Sequence, residues 1–129
     1  MLEKDRIGSA WRNGRWDSFM LVTPTCGLRL PGLEYDGDDP DGFLTRQEMI
    51  DYLENYAERF DPPVWEGVEA AVVEADPGSE RLIVRSSGGE YAAANVVVAT
   101  GTFQRPKSPP PDGQLTGDVR QIHSKKSRA

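Results

Sequence analysis

The feature that most constrains the fold is an apolar run, Val96 to Ala99, which stops abruptly at Thr100-Gly101. Because no polar residue alternates with the valines, the pattern predicts a strand buried on both faces, as in a parallel sheet. Ligands of open α/β sheets lie beyond the carboxyl ends of the strands, so Gly101 would let a cofactor approach the backbone there. A core strand followed by a tight turn explains the same residues, and the pattern alone leaves both interpretations open.

Length and charge limit the classes of protein that this chain can represent. The 129 residues predict one domain, and the formal net charge of −6 disfavours nucleic acid and anionic membranes as partners. No apolar run approaches the roughly 20 residues of a membrane span, and the first residues contain no apolar segment of a secretory signal. The single cysteine, Cys26, cannot form an internal disulfide, which fits a cytoplasmic protein.

Residues 45–60 give the clearest helix signal. Thr45 and Glu48 have the spacing of a capping box, and Asp61-Pro62-Pro63 ends the pattern. Apolar side chains recur at three- and four-residue spacing and predict one buried face, made of Met49, Leu53, Tyr56, Ala57 and Phe60. Four charged residues are assigned to the opposite, solvated face: Asp51, Glu54, Glu58 and Arg59.

The rest of the chain predicts short strands. Residues 64–65, 67–75, 81–85 and 90–92 read as an antiparallel meander, with a turn at Asp76-Pro77-Gly78-Ser79. Residues 19–22 predict a short buried strand that ends at Thr23-Pro24, and residues 28–33 an irregular apolar loop.

Two groups of residues near the N-terminus are candidates for ligand binding. Trp11-Arg12 and Arg15-Trp16 suit stacking on a ring system or holding phosphates, but equally suit a core anchor with an arginine lying along it. Glu3 follows a very short apolar stub, where dinucleotide folds place the acid that binds a ribose hydroxyl; an exposed terminal acid is the alternative.

No metal site is predicted. The acidic loop at 34–44 comes close to a calcium-binding pattern, but Gly37 occupies the first ligand position, so the loop is interpreted as solvated. His123 has no second ligand at metal-binding spacing.

Five segments in this order resemble the class B flavoprotein monooxygenases, which depend on FAD and NADPH. This family includes flavin-containing monooxygenases, Baeyer–Villiger monooxygenases and N-hydroxylases. The segments cover nearly the whole chain: Ile7-Gly8-Ser9-Ala10-Trp11-Arg12, Arg15-Trp16-Asp17-Ser18, Leu30-Pro31-Gly32, Tyr52-Leu53-Glu54-Asn55-Tyr56-Ala57 and residues 97–106. The resemblance implies an α/β fold: a partial Rossmann-like FAD-binding domain of a two-dinucleotide-binding flavoprotein, with one clear helix and an antiparallel β-meander.

The resemblance also implies cofactor-binding roles. Glu3 would bind the adenosine ribose of FAD, and Trp11 and Arg12 would lie along its pyrophosphate and isoalloxazine. The backbone of Ala70 would meet the adenine, and Thr100-Gly101 would lie beside the flavin. His123-Ser124 resembles, more loosely, the His-Ser after the family's F-x-G-x-x-x-H signature.

Departures from the family pattern shape what is expected of this chain. Neither of the two glycine-rich dinucleotide motifs of the family occurs in the sequence, and Pro24 follows Thr23 where many members carry an active-site asparagine. Residues 1–129 are therefore expected to form part of an FAD-binding domain, with the NADPH domain absent. No catalytic residue is assigned.

The parent reaction implied by the resemblance is NADPH-dependent oxygenation of a small organic substrate through a C4a-(hydro)peroxyflavin. The isolated chain is expected to be inactive. A non-catalytic interaction module derived from the flavoprotein, or a truncated product without function, are the alternatives.

Overall fold

The computed structural model describes residues 1–101 of the chain. Helix α1 spans Ser9–Gly14 and helix α2 spans Arg46–Phe60, with a 3-10 turn at Thr25–Gly27 between them. Strands β1 (Arg29–Leu30) and β2 (Leu33–Glu34) pair in antiparallel orientation and form a small hairpin. A three-stranded antiparallel sheet follows, made of β3 (Ala70–Ala75), β4 (Leu82–Ser86) and β5 (Gly89–Ala93) in that order. The expected combination of one main helix and an antiparallel meander is confirmed.

The capping box at the start of α2 is confirmed. The Thr45 hydroxyl accepts a hydrogen bond from the Glu48 amide (3.3 Å), and the Glu48 carboxylate accepts one from the Thr45 amide (2.7 Å). The hydrogen bonds that the Glu48 carboxylate accepts from the Thr45 amide and from the Thr45 hydroxyl lower the pKa of Glu48 below its ordinary value of 4.5. At the other end, Asp61 takes a left-handed conformation (φ 41°) and its amide bonds to the Ala57 carbonyl, which ends the helix before Pro62.

We expect Glu48→Gln to remove part of the pH dependence of unfolding. The folded state lowers the pKa of this carboxyl, so its stabilisation is present above pH 4.5 and disappears as the pH falls through the lowered value. Because Glu48 is exposed, the free energies of unfolding of the wild-type chain and of Glu48→Gln should differ at pH 7 by no more than about 1 kcal/mol. Urea unfolding of both proteins at pH 7 and pH 3 measures this difference, which should be smaller at pH 3. An equal difference at both pH values would contradict the lowered pKa of Glu48 in the folded state.

The apolar face of α2 is rotated from its predicted position. Met49 (8% exposed) and Ile50 (1% exposed) are its buried residues, whereas Leu53 is half-buried and Phe60 is exposed. Ile50 was not part of the predicted face. Glu54 was predicted to lie on the solvated face, but it follows Ile50 by one helical turn and is half-buried. These two assignments were wrong because several apolar residues of α2 allow more than one helix phase.

The segment 28–33 is a hairpin rather than an irregular loop. Pro31-Gly32 supplies the fixed φ and the positive φ (79° at Gly32) that suit the two central positions of a tight turn. Helix α2 holds this hairpin by tyrosine hydroxyls. The Tyr52 hydroxyl donates to the Leu33 carbonyl (2.7 Å) and accepts from the Leu30 amide (3.2 Å), and the Tyr56 hydroxyl donates to the Pro31 carbonyl.

The meander follows its predicted order with small shifts of its ends. Asp76 closes the first turn, where its carboxylate accepts from the Ser79 hydroxyl (2.7 Å) and the Gly78 amide (3.1 Å), and these bonds lower the pKa of Asp76. Val84 at 7% exposure is the buried centre of the sheet, paired across the strands with Val73 and Tyr91. Residues 64–65 do not form a strand; Trp65 makes one parallel bridge with Leu2.

Two predicted buried strands are wrong. Residues 19–22 make only an isolated bridge, Met20 with Thr45, and both Met20 and Val22 are exposed. Residues 96–99 are not assigned to a strand, and Val97 and Val98 are 88% and 73% exposed. A parallel strand obtains its hydrogen bonds from neighbouring strands. The strands of residues 1–101 pair only with one another, so this apolar run lacks a ladder there.

Candidate functional site

Glu3 lies where three parts of the chain meet. Its amide donates to the Trp65 carbonyl (3.0 Å) and its carbonyl accepts from the Val68 amide (2.9 Å), which fixes it beside the segment leading into β3. Its side-chain oxygen Oε1 accepts from the Asp5 amide (3.0 Å) and from the hydroxyl of Ser9 (3.2 Å), the first residue of α1. Glu3 is half-buried, and these two bonds hold its carboxylate in one orientation.

The second carboxylate oxygen of Glu3, Oε2, makes no hydrogen bond within residues 1–101. An ionised carboxylate only accepts hydrogen bonds, and a sugar diol offers two adjacent donors. The arrangement therefore suits a hydroxyl-bearing ligand: one oxygen anchors the side chain to the protein, and the other stays available.

Helix α1 carries the Trp11-Arg12 pair. It is a short helix entered through Gly8, whose φ of 76° favours glycine. No periodic signal predicts this helix, because six residues are too few to show one. The Trp11 ring lies 5.8 Å from the Phe19 ring, and the guanidinium of Arg15 lies 5.3 Å from the Trp11 centroid. The indole is thus packed within its own aromatic cluster, completed by Trp16 against Phe19.

Arg12 forms an ion pair with Glu54 of α2 through Nη2, and its Nε donates to the Ile7 carbonyl (3.4 Å). Only 18% of the Arg12 side chain is exposed, against 43% for Glu54. Arg46, at the start of α2, donates to the Arg12 carbonyl of α1 (3.3 Å) and binds the Asp17 carboxylate in the segment after α1 (2.9 Å). The Arg12–Glu54 ion pair and the bond from Arg46 to the Arg12 carbonyl therefore join α1 to α2.

The other predicted cofactor residues lie at the edges of this region. Ala70 begins β3, exposed, two residues after the Val68 amide that binds Glu3. Next to it, the ion pair with Glu69 raises the pKa of Lys4. Thr100 and Gly101 are exposed at the end of the described residues, and Gly101 has a φ of 73°. The structure thus brings Glu3, the α1 pair and Ala70 into one region.

Several predictions fall outside the described residues. These are the match at 102–106 and the His123-Ser124 pair. Within residues 1–101, no group of three or more His, Cys, Asp or Glu side chains is arranged to hold a metal ion. In the same part of the chain, no helix has the length and apolar character needed to cross a membrane.

Sequence reasoning missed the residues that support this region. Glu66 accepts a hydrogen bond from the Ile7 amide (2.8 Å). Glu54 binds the Arg12 side chain, and Arg46 binds the Arg12 carbonyl. For Glu54 a signal existed: it stands four residues after Ile50, so any helix phase that buries Ile50 also turns Glu54 towards the same neighbour. Glu66 and Arg46 had no such signal, because their partners are distant in sequence.

Comparison with known proteins decides the family. The family model described as pyridine nucleotide-disulphide oxidoreductase matches residues 2–128. The chain belongs to this family. An uncharacterized CzcO-like oxidoreductase of Geobacillus kaustophilus is 42% identical over 122 residues, which cover 95% of this chain and 34% of that protein. The indole-3-pyruvate monooxygenase YUCCA6 of Arabidopsis thaliana is 34% identical, covering 84% of this chain and 27% of its own length.

Among solved structures, a flavin-containing monooxygenase from Stenotrophomonas maltophilia superposes on this chain with a TM-score of 0.65, and its Q193R H194T mutant with a TM-score of 0.67. The parent form is 29% identical and the match covers 78% of this chain and 29% of that one. These relatives confirm the expected kinship with flavoprotein monooxygenases, a family that uses flavin and a pyridine nucleotide. The chain spans about a third of the length of the relatives that it matches.

Proposed function

We propose that these 129 residues form part of the FAD-binding domain of an NADPH-dependent flavin monooxygenase that oxygenates a small organic molecule. The observation that carries the proposal is the Glu3 carboxylate, anchored by one oxygen to Ser9 at the start of α1 and open at the other. Support also comes from the family match and from the monooxygenase relatives. FAD, when bound, would supply the oxygen-activating chemistry.

The described residues suit parts of FAD that differ in chemistry. The open Oε2 of Glu3 can accept hydrogen bonds from the ribose hydroxyls. Arg12 can donate from Nη1, which has no hydrogen bond within residues 1–101, to a phosphate oxygen. Trp11 would contribute its position on α1 rather than an open ring face, since Phe19 and Arg15 already pack on it. We place Ala70 at the adenine and Thr100-Gly101 beside the flavin on the resemblance alone.

The sequence lacks one element that normally holds a dinucleotide. A glycine-rich loop brings the pyrophosphate to a helix N-terminus, whose amides compensate the two phosphate charges removed from water. No G-x-G-x-x-G pattern occurs in these residues. Helix α1 does not replace the glycine-rich loop and its helix, because α1 is only six residues long and no such loop precedes it.

We therefore expect the 129-residue chain to be colourless when purified, to bind FAD weakly if at all, and to lack NADPH oxidase and oxygenase activity. Two measurements check this: the absorbance at the flavin band after gel filtration, and NADPH consumption with added FAD. A yellow preparation that retained FAD through the column would show that the remaining contacts suffice without the loop.

The position of the site is tested by a titration that detects weak binding. Millimolar FAD added to isotope-labelled protein should shift the amide signals of Glu3, Ser9 and Trp11, and Glu3→Gln should weaken these shifts, because a neutral amide accepts more weakly from ribose hydroxyls. Glu58→Gln, an exposed carboxylate on α2, is the matched control and should leave the shifts unchanged. Absence of shifts at Glu3 and α1 in the wild-type chain would contradict the proposed site.

A further inference from the structure

The ion pair between Arg12 and Glu54 joins a side chain of the proposed FAD site to the longest helix of the described chain. Arg12 uses Nη2 for the Glu54 carboxylate and Nε for the Ile7 carbonyl. These contacts fix the plane of the guanidinium and leave Nη1 as the donor without a partner in residues 1–101. The orientation of Arg12 is therefore set from α2 and from the loop before α1, not by α1 alone.

Glu54 is a rigid support for this contact. It stands in the interior of the 15-residue helix α2, which is capped at both ends. One turn earlier, Ile50 packs beneath the entry to α1: a Cβ added at Gly8 would lie 3.6 Å from Ile50 Cγ2 and 3.8 Å from Arg12 Nε. The apolar contact of Ile50 and the ion pair of Glu54 thus both act on the segment from Gly8 to Arg12.

Removal of the Glu54 carboxylate would leave Arg12 with a single 3.4 Å contact from its side chain. An arginine side chain carries about 2 kcal/mol of rotamer entropy, which two hydrogen bonds in a fixed plane oppose better than one. A half-buried guanidinium without its acid would also turn towards water. The backbone of α1 would keep its second tie to α2 through Arg46.

We propose that Glu54 is a positioning residue: it holds Arg12 in the orientation in which the free Nη1 donates to a phosphate of FAD. This inference rests on the proposed function for its ligand, and on the contacts of Arg12 with Glu54 and Ile7 for the pair itself. Because Glu54 already balances the charge of Arg12, the arginine would act as an oriented hydrogen-bond donor more than as a net positive charge.

The first arm of the test follows Arg12 without any ligand. The Nε–H signal of Arg12 in a nitrogen-resolved NMR spectrum should be protected and ordered in the wild-type chain. Glu54→Ala should broaden or shift it to the position of solvated arginines, whereas Glu54→Gln, which keeps an acceptor oxygen, should largely retain it. Glu58→Ala on the exposed side of α2 is the control and should not affect it. An unchanged Arg12 signal in Glu54→Ala would overturn the proposal.

The second arm measures FAD binding from amide shifts in the same proteins. Glu54→Ala should weaken binding by about tenfold, near the lower end of what one hydrogen bond to a charged group contributes, while Glu54→Gln stays close to wild type. Tighter binding by Glu54→Ala would show that Glu54 competes with the phosphate, which overturns the proposal. If wild-type protein shows an ordered Arg12 signal but no FAD shifts, the proposed function fails, and the positioning of Arg12 by Glu54 stands on the first arm alone.

Discussion

Ile50→Ala should destabilise the chain by about 2–5 kcal/mol, the usual cost of truncating a fully buried isoleucine. Ile50 is 1% exposed and is the largest fully buried side chain of the described residues. It packs against Gly8 at the entry to α1 as well as within α2, so a cavity there would loosen both helices. A small domain has only about 5–15 kcal/mol of stability, so the loss would be a large part of it. Urea unfolding followed by circular dichroism measures the change.

The same truncation three residues later is the matched control. Leu53 lies on the apolar face that the sequence predicts, but it is half-buried, so Leu53→Ala should cost clearly less than Ile50→Ala. Ile50→Val, which removes one methylene, should cost about 0.5–1.5 kcal/mol. Equal losses at positions 50 and 53 would contradict the helix phase of the structure and favour the phase predicted from sequence.

Val84→Asp should destabilise the meander by several kcal/mol. Val84 is 7% exposed and is the central residue of the central strand β4, flanked by Val73 on β3 and Tyr91 on β5. A carboxylate there would lose its hydration without gaining a partner, which costs about 3–5 kcal/mol in a buried position. Tryptophan fluorescence reports the loss, because Trp65 stacks on Tyr91 with ring centroids 5.5 Å apart.

Val73→Asp controls for the chemistry of this substitution. Val73 stands directly opposite Val84 but is 44% exposed, so its new carboxylate would remain hydrated. We expect a loss of about 1 kcal/mol, close to the difference in strand propensity alone. A loss as large as that of Val84→Asp would mean that the exposed face of β3 is covered in solution.

Features governed by neighbours in sequence could be predicted closely. Three features, the capping box of Thr45 and Glu48, the end of α2 at Asp61 and the turn at Asp76–Ser79, depend on hydrogen bonds that span only two to four residues. Such bonds form wherever the residue types stand at the right spacing, irrespective of the rest of the fold. The order of the meander strands follows from the same local turns.

Of the candidate site, the sequence supplied the residues and the resemblance supplied their roles. Glu3, Trp11 and Arg12 could be named because their types suit ribose, rings and phosphates. Their partners could not be predicted: Ser9 holds Glu3, Glu54 holds Arg12, and these pairs are set by packing of segments as far as 42 positions apart. The spacing of Ile50 and Glu54 indicates which face of α2 Glu54 shares, but nothing in the sequence identifies Arg12 as its partner over that separation.

The sequence by itself determined where α2 begins and ends, the turns of the meander and the residue types available for a ligand. Only the tertiary structure decided which face of α2 is buried and whether an apolar run becomes a strand. Ile50 is buried because α1 covers it, and Val97 and Val98 are exposed although their composition predicts a buried strand. The physical reason is that burial and strand pairing are properties of two segments in contact, and a local pattern describes only one of them.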